Sequence, residues 1–386
     1  MLDPRFKDAL KELLAEGAET PFYAYDLGTI QAQAERLIAA FPGVRLFYAV
    51  KANPRLFLLR FLRERGFSAE TVSLGEVFRS YRAGFLPDEV LLNGPVKPPR
   101  VLDALAEAGV PFLGVDSTAD LLRIARRLPG ARVLLRVNPD LPVSTHPHLA
   151  TGKGESQFGM PPETIPEAAR KARELGLKLM GLHLHLGSAL EAPEDFEAGY
   201  RVIERLLEEV GPLPVVDLGG GLGLDLDLDA LSPRVRAFKA RAGEVWLEPG
   251  RFLVARAGVL VARVWGEKTT RRRYLLLDAG MSHFLRPALY GARPPVVPLY
   301  EGSEEGVFDL AGPACESTDV LARDVPLPVP KEGDALALLE AGAYGSSMAN
   351  PYLDTPHPAE YAWDGERWLR IRERGRYPDL FAGERL

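Results

Sequence analysis

A chain of 386 residues carries a single cysteine, Cys315. One cysteine can form no internal disulfide, and such scarcity fits a reducing compartment. No apolar run approaches the ~20 residues needed to cross a bilayer. The opening residues, Met1-Leu2-Asp3-Pro4-Arg5-Phe6-Lys7-Asp8, are interrupted by charge and lack the apolar centre of a signal peptide. A cytoplasmic location is therefore expected. Positive charge is not in excess: the formal net charge is −6, which argues against nucleic acid or an anionic membrane as partner. No internal repeat or low-complexity tract interrupts the chain. No GxxxxGK[ST] loop is present, which disfavours nucleotide hydrolysis.

What is present is an ordinary globular composition, 46% hydrophobic and 26% charged, long enough to bury a large core without disulfides or metal. The length suggests two domains, or one barrel with an appendage. Short β-rich apolar runs lie near 46–50, 70–73, 90–92, 112–115, 132–136, 179–185, 214–217 and 244–247. Helical spacing fills the intervals at 54–65, 75–83, 98–108, 118–127, 163–175 and 194–209. Strand–helix alternation implies parallel strands joined by crossover helices. Eight strands over this span predict an α/β fold, a (β/α)8 barrel, with an open doubly wound sheet as the alternative. Beyond residue 251 the helix signals fade. Alternating runs at 252–265, 274–278, 307–311 and 335–339, with an Asp364-Gly365 hairpin signal, predict a second, antiparallel β domain. The expected division is a barrel over 26–251 and a β domain from 1–25 and 252–386. The long connection 137–162 is either a lid or binding loop or a plain surface excursion.

Barrel enzymes place their chemistry where strands end. Lys51 follows the run Phe47-Tyr48-Ala49-Val50, so its amine is expected in the barrel mouth. Desolvation there lowers an amine pKa and suits a Schiff base with an aldehyde cofactor; a solvated strand-end lysine is the plainer alternative. Gly219-Gly220-Gly221 follows Val215-Val216-Asp217-Leu218 and reads as a phosphate cradle or a tight turn. Glu248-Pro249-Gly250-Arg251 offers a carboxylate for a pyridine nitrogen and a guanidinium for phosphate or carboxylate, or else a surface ion pair. His183 and His185 share a strand face. One reads as structural and the other as a ring stacked on a cofactor. No further ligand cluster stands out, so no metal is expected. Cys315-Glu316 reads as a small buried thiol or as a proton donor beside an acid.

Together these segments resemble the group IV pyridoxal-phosphate decarboxylases, which have the alanine-racemase-like fold. The resemblance runs through Tyr48-Ala-Val-Lys-Ala-Asn53, His183-Leu-His-Leu-Gly-Ser188, Asp217-Leu-Gly-Gly-Gly221, Glu248-Pro-Gly-Arg251, Arg286-Pro-Ala-Leu-Tyr290, Gly312-Pro-Ala-Cys-Glu-Ser317 and Gly342-Ala-Tyr-Gly345. Seven motifs stand in the family's order, and the resemblance runs over nearly the whole chain, from Pro21 to the Arg-rich tail near 370–374.

The resemblance implies pyridoxal 5'-phosphate joined to Lys51, with His185 on the ring and Glu248 at its nitrogen. Ser188 and Gly219, Gly220 and Gly221 would hold the phosphate, beside Gly250 and Arg251. Arg251, Arg286 and Tyr290 would bind anionic groups, and Tyr344 would contact cofactor and substrate. It implies a homodimer in which Cys315 enters the partner's site as proton donor, and Glu316 recognises a distal amino group. The family members most similar in these motifs convert meso-2,6-diaminopimelate to L-lysine and carbon dioxide. The rival is a decarboxylase of ornithine, lysine, arginine or carboxynorspermidine. Racemisation on the same cofactor, and a cofactor-homeostasis barrel, are the remaining alternatives. Gln157, His283, Leu353 and Thr355 depart from the family pattern and bear on substrate choice.

Overall fold

The computed structural model describes residues 2–141 and 156–385. Most of the expected lid, 142–155, lies outside the described residues. The chain forms two compact units, Gln33–Phe252, and Met1–Ala32 with Leu253–Leu386.

A helix, Pro4–Ala15, opens the chain and precedes β1 (Phe22–Asp26). The eight strands that follow are β2 (Arg45–Ala49), β3 (Ser68–Thr71), β4 (Val90–Leu92), β5 (Phe112–Val115), β6 (Arg132–Val137), β7 (Lys178–Leu184), β8 (Leu213–Asp217) and β9 (Ala242–Leu247). They close into a parallel barrel in sequence order, sealed where Arg45 and Leu46 pair with Trp246 and Leu247. Its base is plugged by Phe47, Leu91, Phe112, Leu134, Val215 and Trp246. The Trp246 ring lies 4.6 Å from that of Phe47 and 4.9 Å from that of Phe112.

Helices begin promptly after the strands because caps are supplied there. Ser73 accepts the Glu76 N–H for the helix Leu74–Arg82, and Ser117 accepts the Asp120 N–H for Thr118–Arg127. This cap is why the strand expected over 70–73 ends at Thr71. One helix absent from the expected pattern, Leu228–Ala237, holds Pro233. Proline reads as a breaker in sequence, yet Asp227 caps this helix by accepting the N–H groups of Asp229 and Ala230 at 3.0 Å each.

The other unit contains β10 (Gly258–Thr269), β11 (Arg273–Leu277), β12 (Val296–Pro298), β13 (Glu305–Ala311), β14 (Val320–Pro328), β15 (Ala335–Leu338), β16 (Ala359–Trp363) and β17 (Trp368–Arg372). They form one sheet with β1, ordered β14-β13-β11-β10-β1-β16-β17, with β15 also on β10 and β12 on β15. Pairing is mainly antiparallel, as expected, and Asp364-Gly365 falls in the β16–β17 connection. Two pairs are parallel, β1 with β16 and β11 with β13. Both join strands distant in sequence, which no hairpin forces to be antiparallel. The run expected to be strand from 252 begins as a helical turn, Arg251–Val254; a short apolar run looks the same in either state.

Candidate active site

Alternation along the barrel strands builds the site. Side chains two apart share a face. Two positions beyond the plugging Leu91, Leu134, Val215 and Trp246 stand Asn93, Arg136, Asp217 and Glu248. Thus an apolar plug at the base becomes a polar ring at the rim where the strands end. Two glycines make room for it. A Cβ on Gly114 would lie 2.2 Å from Asn93 Oδ1, and one on Gly181 2.1 Å from the Val215 carbonyl.

A cavity of about 410 Å³ opens at this rim, between Lys51, Glu70, Asn93, Arg136, His185 and Glu248. Lys51 sits in a 3-10 turn, Val50–Ala52, directly after β2. Its half-buried amine donates to the buried Glu70 carboxylate at 2.6 Å. The Asn93 amide donates to Glu70 at 3.2 Å and to Glu248 at 2.7 Å, tying the two acids together. Lys97, fully buried, donates to the Gly94 carbonyl at 2.7 Å and pairs with Asp120 at 3.0 Å, which anchors the loop next to Asn93. Arg136 lies 3.7 Å from Asp116 and over the Phe158 ring.

Glu248 is buried, which by itself would raise its pKa. The charges of His183 and Lys51 outweigh burial and hold it below the ordinary carboxylate range. Burial, followed by the Lys51 charge, pushes His185 down to about 3. Its Nδ1 accepts the Gly220 N–H at 3.3 Å, so the neutral ring carries its proton on Nε2.

This depressed pKa has a consequence for stability. An unfolded imidazole takes up a proton near pH 6.5, whereas folded His185 stays neutral to about pH 3. Its contribution is fully present above pH 6.5 and is lost as pH falls toward 3, because the unfolded state binds the extra proton. Thermal midpoints of wild type should therefore fall more steeply below pH 6.5 than those of His185→Gln. Equal slopes would show that His185 titrates normally.

Around this core, Arg251 donates to the Ser188 hydroxyl at 3.2 Å through Nη2. The glycine loop is held too closely for any side chain. A Cβ would come within 2.0 Å of the Leu184 carbonyl at Gly219, 2.3 Å of the Glu248 carbonyl at Gly220, and 2.7 Å of the Gly187 carbonyl at Gly221. Gly250 is equally confined, its added Cβ meeting the Ala49 side chain at 2.9 Å. The barrel unit therefore assembles Lys51, His185, Ser188, Gly219, Gly220, Gly221, Glu248, Gly250 and Arg251. The remaining expected residues, Arg286, Tyr290, Cys315, Glu316 and Tyr344, belong to the other unit. There Arg286 and Tyr290 bound one helix, and Cys315 is exposed. Glu316 accepts the Tyr352 hydroxyl at 2.7 Å.

Two of the departures have local structural reasons. His283 is buried, and its Nδ1 accepts the Gly280 N–H at 3.2 Å. Burial lowers its pKa to about 4. Thr355 donates to the Tyr352 carbonyl at 2.9 Å. Gln157 and Leu353 are exposed.

The sequence marks Asn93 and Arg136 as polar strand ends at the rim, without a role for either, and gives no role to Glu70 or Asp217. Asn93, Arg136 and Asp217 each stand two positions beyond a plugging residue; Glu70 does not, and its pairing with Lys51 is what marks it. His183, Asp217 and Glu248 also present ligand atoms within 4.8 Å of one another.

These groups fit pyridoxal phosphate. The cavity is of small-ligand size. Lys51 supplies an amine, His185 a neutral aromatic ring, Glu248 a buried anion, and Arg251 with Ser188 an anion-binding pair.

Comparison with known proteins agrees. Residues 27–255 match the family model "Pyridoxal-dependent decarboxylase, pyridoxal binding domain". A diaminopimelate decarboxylase of Deinococcus radiodurans is 45% identical over 366 residues, 95% of this chain and 96% of the relative. One from Archaeoglobus fulgidus is 37% identical, covering 95% and 93%. The crystal structure of diaminopimelate decarboxylase from Helicobacter pylori complexed with L-lysine superposes with a TM-score of 0.91 at 34% identity, covering 96% of this chain and 98% of that one. The fold, the chemistry at the barrel rim and these relatives agree that the chain belongs to the pyridoxal-dependent decarboxylase family, among the diaminopimelate decarboxylases.

Proposed function

We propose that this chain decarboxylates meso-2,6-diaminopimelate to L-lysine and carbon dioxide, the closing step of lysine formation. The observation that carries this reading is the Lys51 amine, held by Glu70 at 2.6 Å on the rim of a cavity that also presents Glu248 and His185. Pyridoxal phosphate, when bound, supplies an electron sink for the pair released as the Cα–carboxylate bond breaks.

The chain's own groups do the rest. Lys51 would hold the cofactor aldehyde through its amine. Glu70 stabilises the charged amine and accepts its hydrogen bond. Glu248, ionised and fixed by Asn93, would face the ring nitrogen and favour a proton there. His185, neutral, would sit beside the ring without a competing charge. Ser188, the Gly219–Gly221 loop, Gly250 and Arg251 would hold the phosphate. Arg251, Arg286 and Tyr290 bind substrate carboxylate, and Tyr344 contacts both cofactor and substrate.

We infer further that the enzyme is a cytoplasmic homodimer with shared sites. Cys315 of one subunit returns a proton to Cα in the partner's site, and Glu316 receives the distal amino group. The exposure of Cys315 supports this reading, since a donor in trans must leave its own subunit's interior. An exposed thiol also suits a reducing compartment. Among the described residues no helix is long and apolar enough to cross a membrane.

Carbon dioxide release from meso-diaminopimelate, L-lysine, D-lysine, ornithine and arginine tests the substrate. Release from meso-diaminopimelate alone is expected. Release from ornithine or lysine with none from diaminopimelate overturns the assignment.

A further inference from the structure

Asp217, the last residue of β8, is fully buried yet only half provided for. Its Oδ1 accepts the Gly219 N–H at 2.9 Å. Its Oδ2 is buried and receives no hydrogen bond from any donor that the structure places near it. The groups around it come from several strands. His183 stands directly opposite on β7, and its Nε2 is 3.4 Å from Glu248. Neither ring nitrogen of His183 makes an aligned hydrogen bond. Glu248 follows β9, and the nearest atoms of the three side chains lie within 4.8 Å of one another. Glu70, whose charge also reaches Asp217, follows on β3, where it pairs with Lys51. His185 and Lys51 act on Glu248 from the cavity side.

Two ionised carboxylates this close, both out of water, repel strongly and cannot both be solvated. One of them must keep its proton. Glu248 has the better claim to the negative charge, because it accepts the Asn93 amide at 2.7 Å and neighbours His183. Asp217 receives only one backbone N–H.

We propose that Asp217 is a positioning residue that remains a neutral acid and donates its O–H to Glu248, fixing that carboxylate in place at the cavity floor. The direction of its acidity agrees: burial, followed by the charge of Glu248, raises Asp217 well above the ordinary range. The proton on Oδ2 gives the otherwise idle atom a partner. It also leaves Glu248 with donors on both flanks, so that its one charge is not dispersed by rotation. The structural link to the cofactor rests on Glu248 meeting the ring nitrogen, as in the function proposed above.

The experiment combines infrared spectroscopy and cofactor titration on the full-length enzyme. The difference spectrum of wild-type holoenzyme against Asp217→Asn at neutral pH should contain a protonated-carboxyl C=O band. Asn keeps a donor for Glu248 and an acceptor for the Gly219 N–H. Its Kd for pyridoxal phosphate should stay within about threefold of wild type, whereas Asp217→Ala should lose about tenfold, the worth of one hydrogen bond to a charged group. Absence of the band overturns the proposal, and is the result a divalent ion between the three side chains would give. Equal losses in the Asn and Ala variants overturn it as well, since charge rather than the O–H would then matter. The infrared result does not depend on the substrate: a wild type that shows the band but releases no carbon dioxide contradicts the proposed function alone.

Discussion

Replacing Lys51 with alanine should remove the visible absorption of the bound cofactor and reduce turnover by at least on the order of 10³-fold. Among the described residues that line the cavity, Lys51 is the one amine, the natural point of covalent attachment. The variant also strands Glu70, a buried carboxylate whose 2.6 Å partner is gone. A buried charge left alone destabilises by about 3–5 kcal/mol in general, less here because Lys51 is itself partly solvent-exposed. Lys51→Arg separates the two effects. It keeps a cation for Glu70 and so keeps the fold, but its guanidinium is not a nucleophile at neutral pH. Both variants should be inactive, and only the alanine variant should melt earlier. Normal decarboxylation by either one would remove Lys51 from the chemistry.

The second large effect is expected at Cys315. Cys315→Ala should bind pyridoxal phosphate with an unchanged spectrum yet lose about 10²–10⁴-fold in kcat, the range for removing a positioned proton donor. Because Cys315 is exposed, the substitution opens no cavity in the core and should leave thermal stability within about 0.5 kcal/mol of wild type. Full activity in this variant would exclude the thiol as donor. Mixing Lys51→Ala with Cys315→Ala subunits tests the shared site. A mixed dimer carries one site with both groups intact, so activity should return on mixing. No recovery would mean that each subunit supplies its own thiol.

The barrel, and several residues that the structure brings to its rim, are legible in the sequence. Lys51 was marked by the apolar strand that delivers it, and Glu248 and Arg251 by the Pro249-Gly250 turn between them. The glycine run was marked by the strand before it. Each of these signals is local, confined to a strand and its first loop residues. The network that gives these residues their properties is not local. Asn93 joins Glu70 to Glu248 across 155 positions of sequence, and nothing near Asn93 in the chain names either acid. In the sequence Asp217 stands only in the run that precedes the glycines. Its burial beside Glu248 follows from the pairing of β8 with β9.

The sequence by itself determined the succession of strands and helices, the placing of a lysine at the end of the first barrel strand and the order of the motifs, because periodicity and turn chemistry act between residues a few positions apart. Only the tertiary structure decided which side chains meet at the rim, since closing the barrel sets neighbours that are far apart along the chain. It also decided the parity of β7, where the register with β6 shifts between Val133 and Leu134. There the plugging Met180 and the rim residue His183 are three apart rather than two. A bulge of that kind relieves the geometry of closure, a property of eight strands together that no single stretch of sequence expresses.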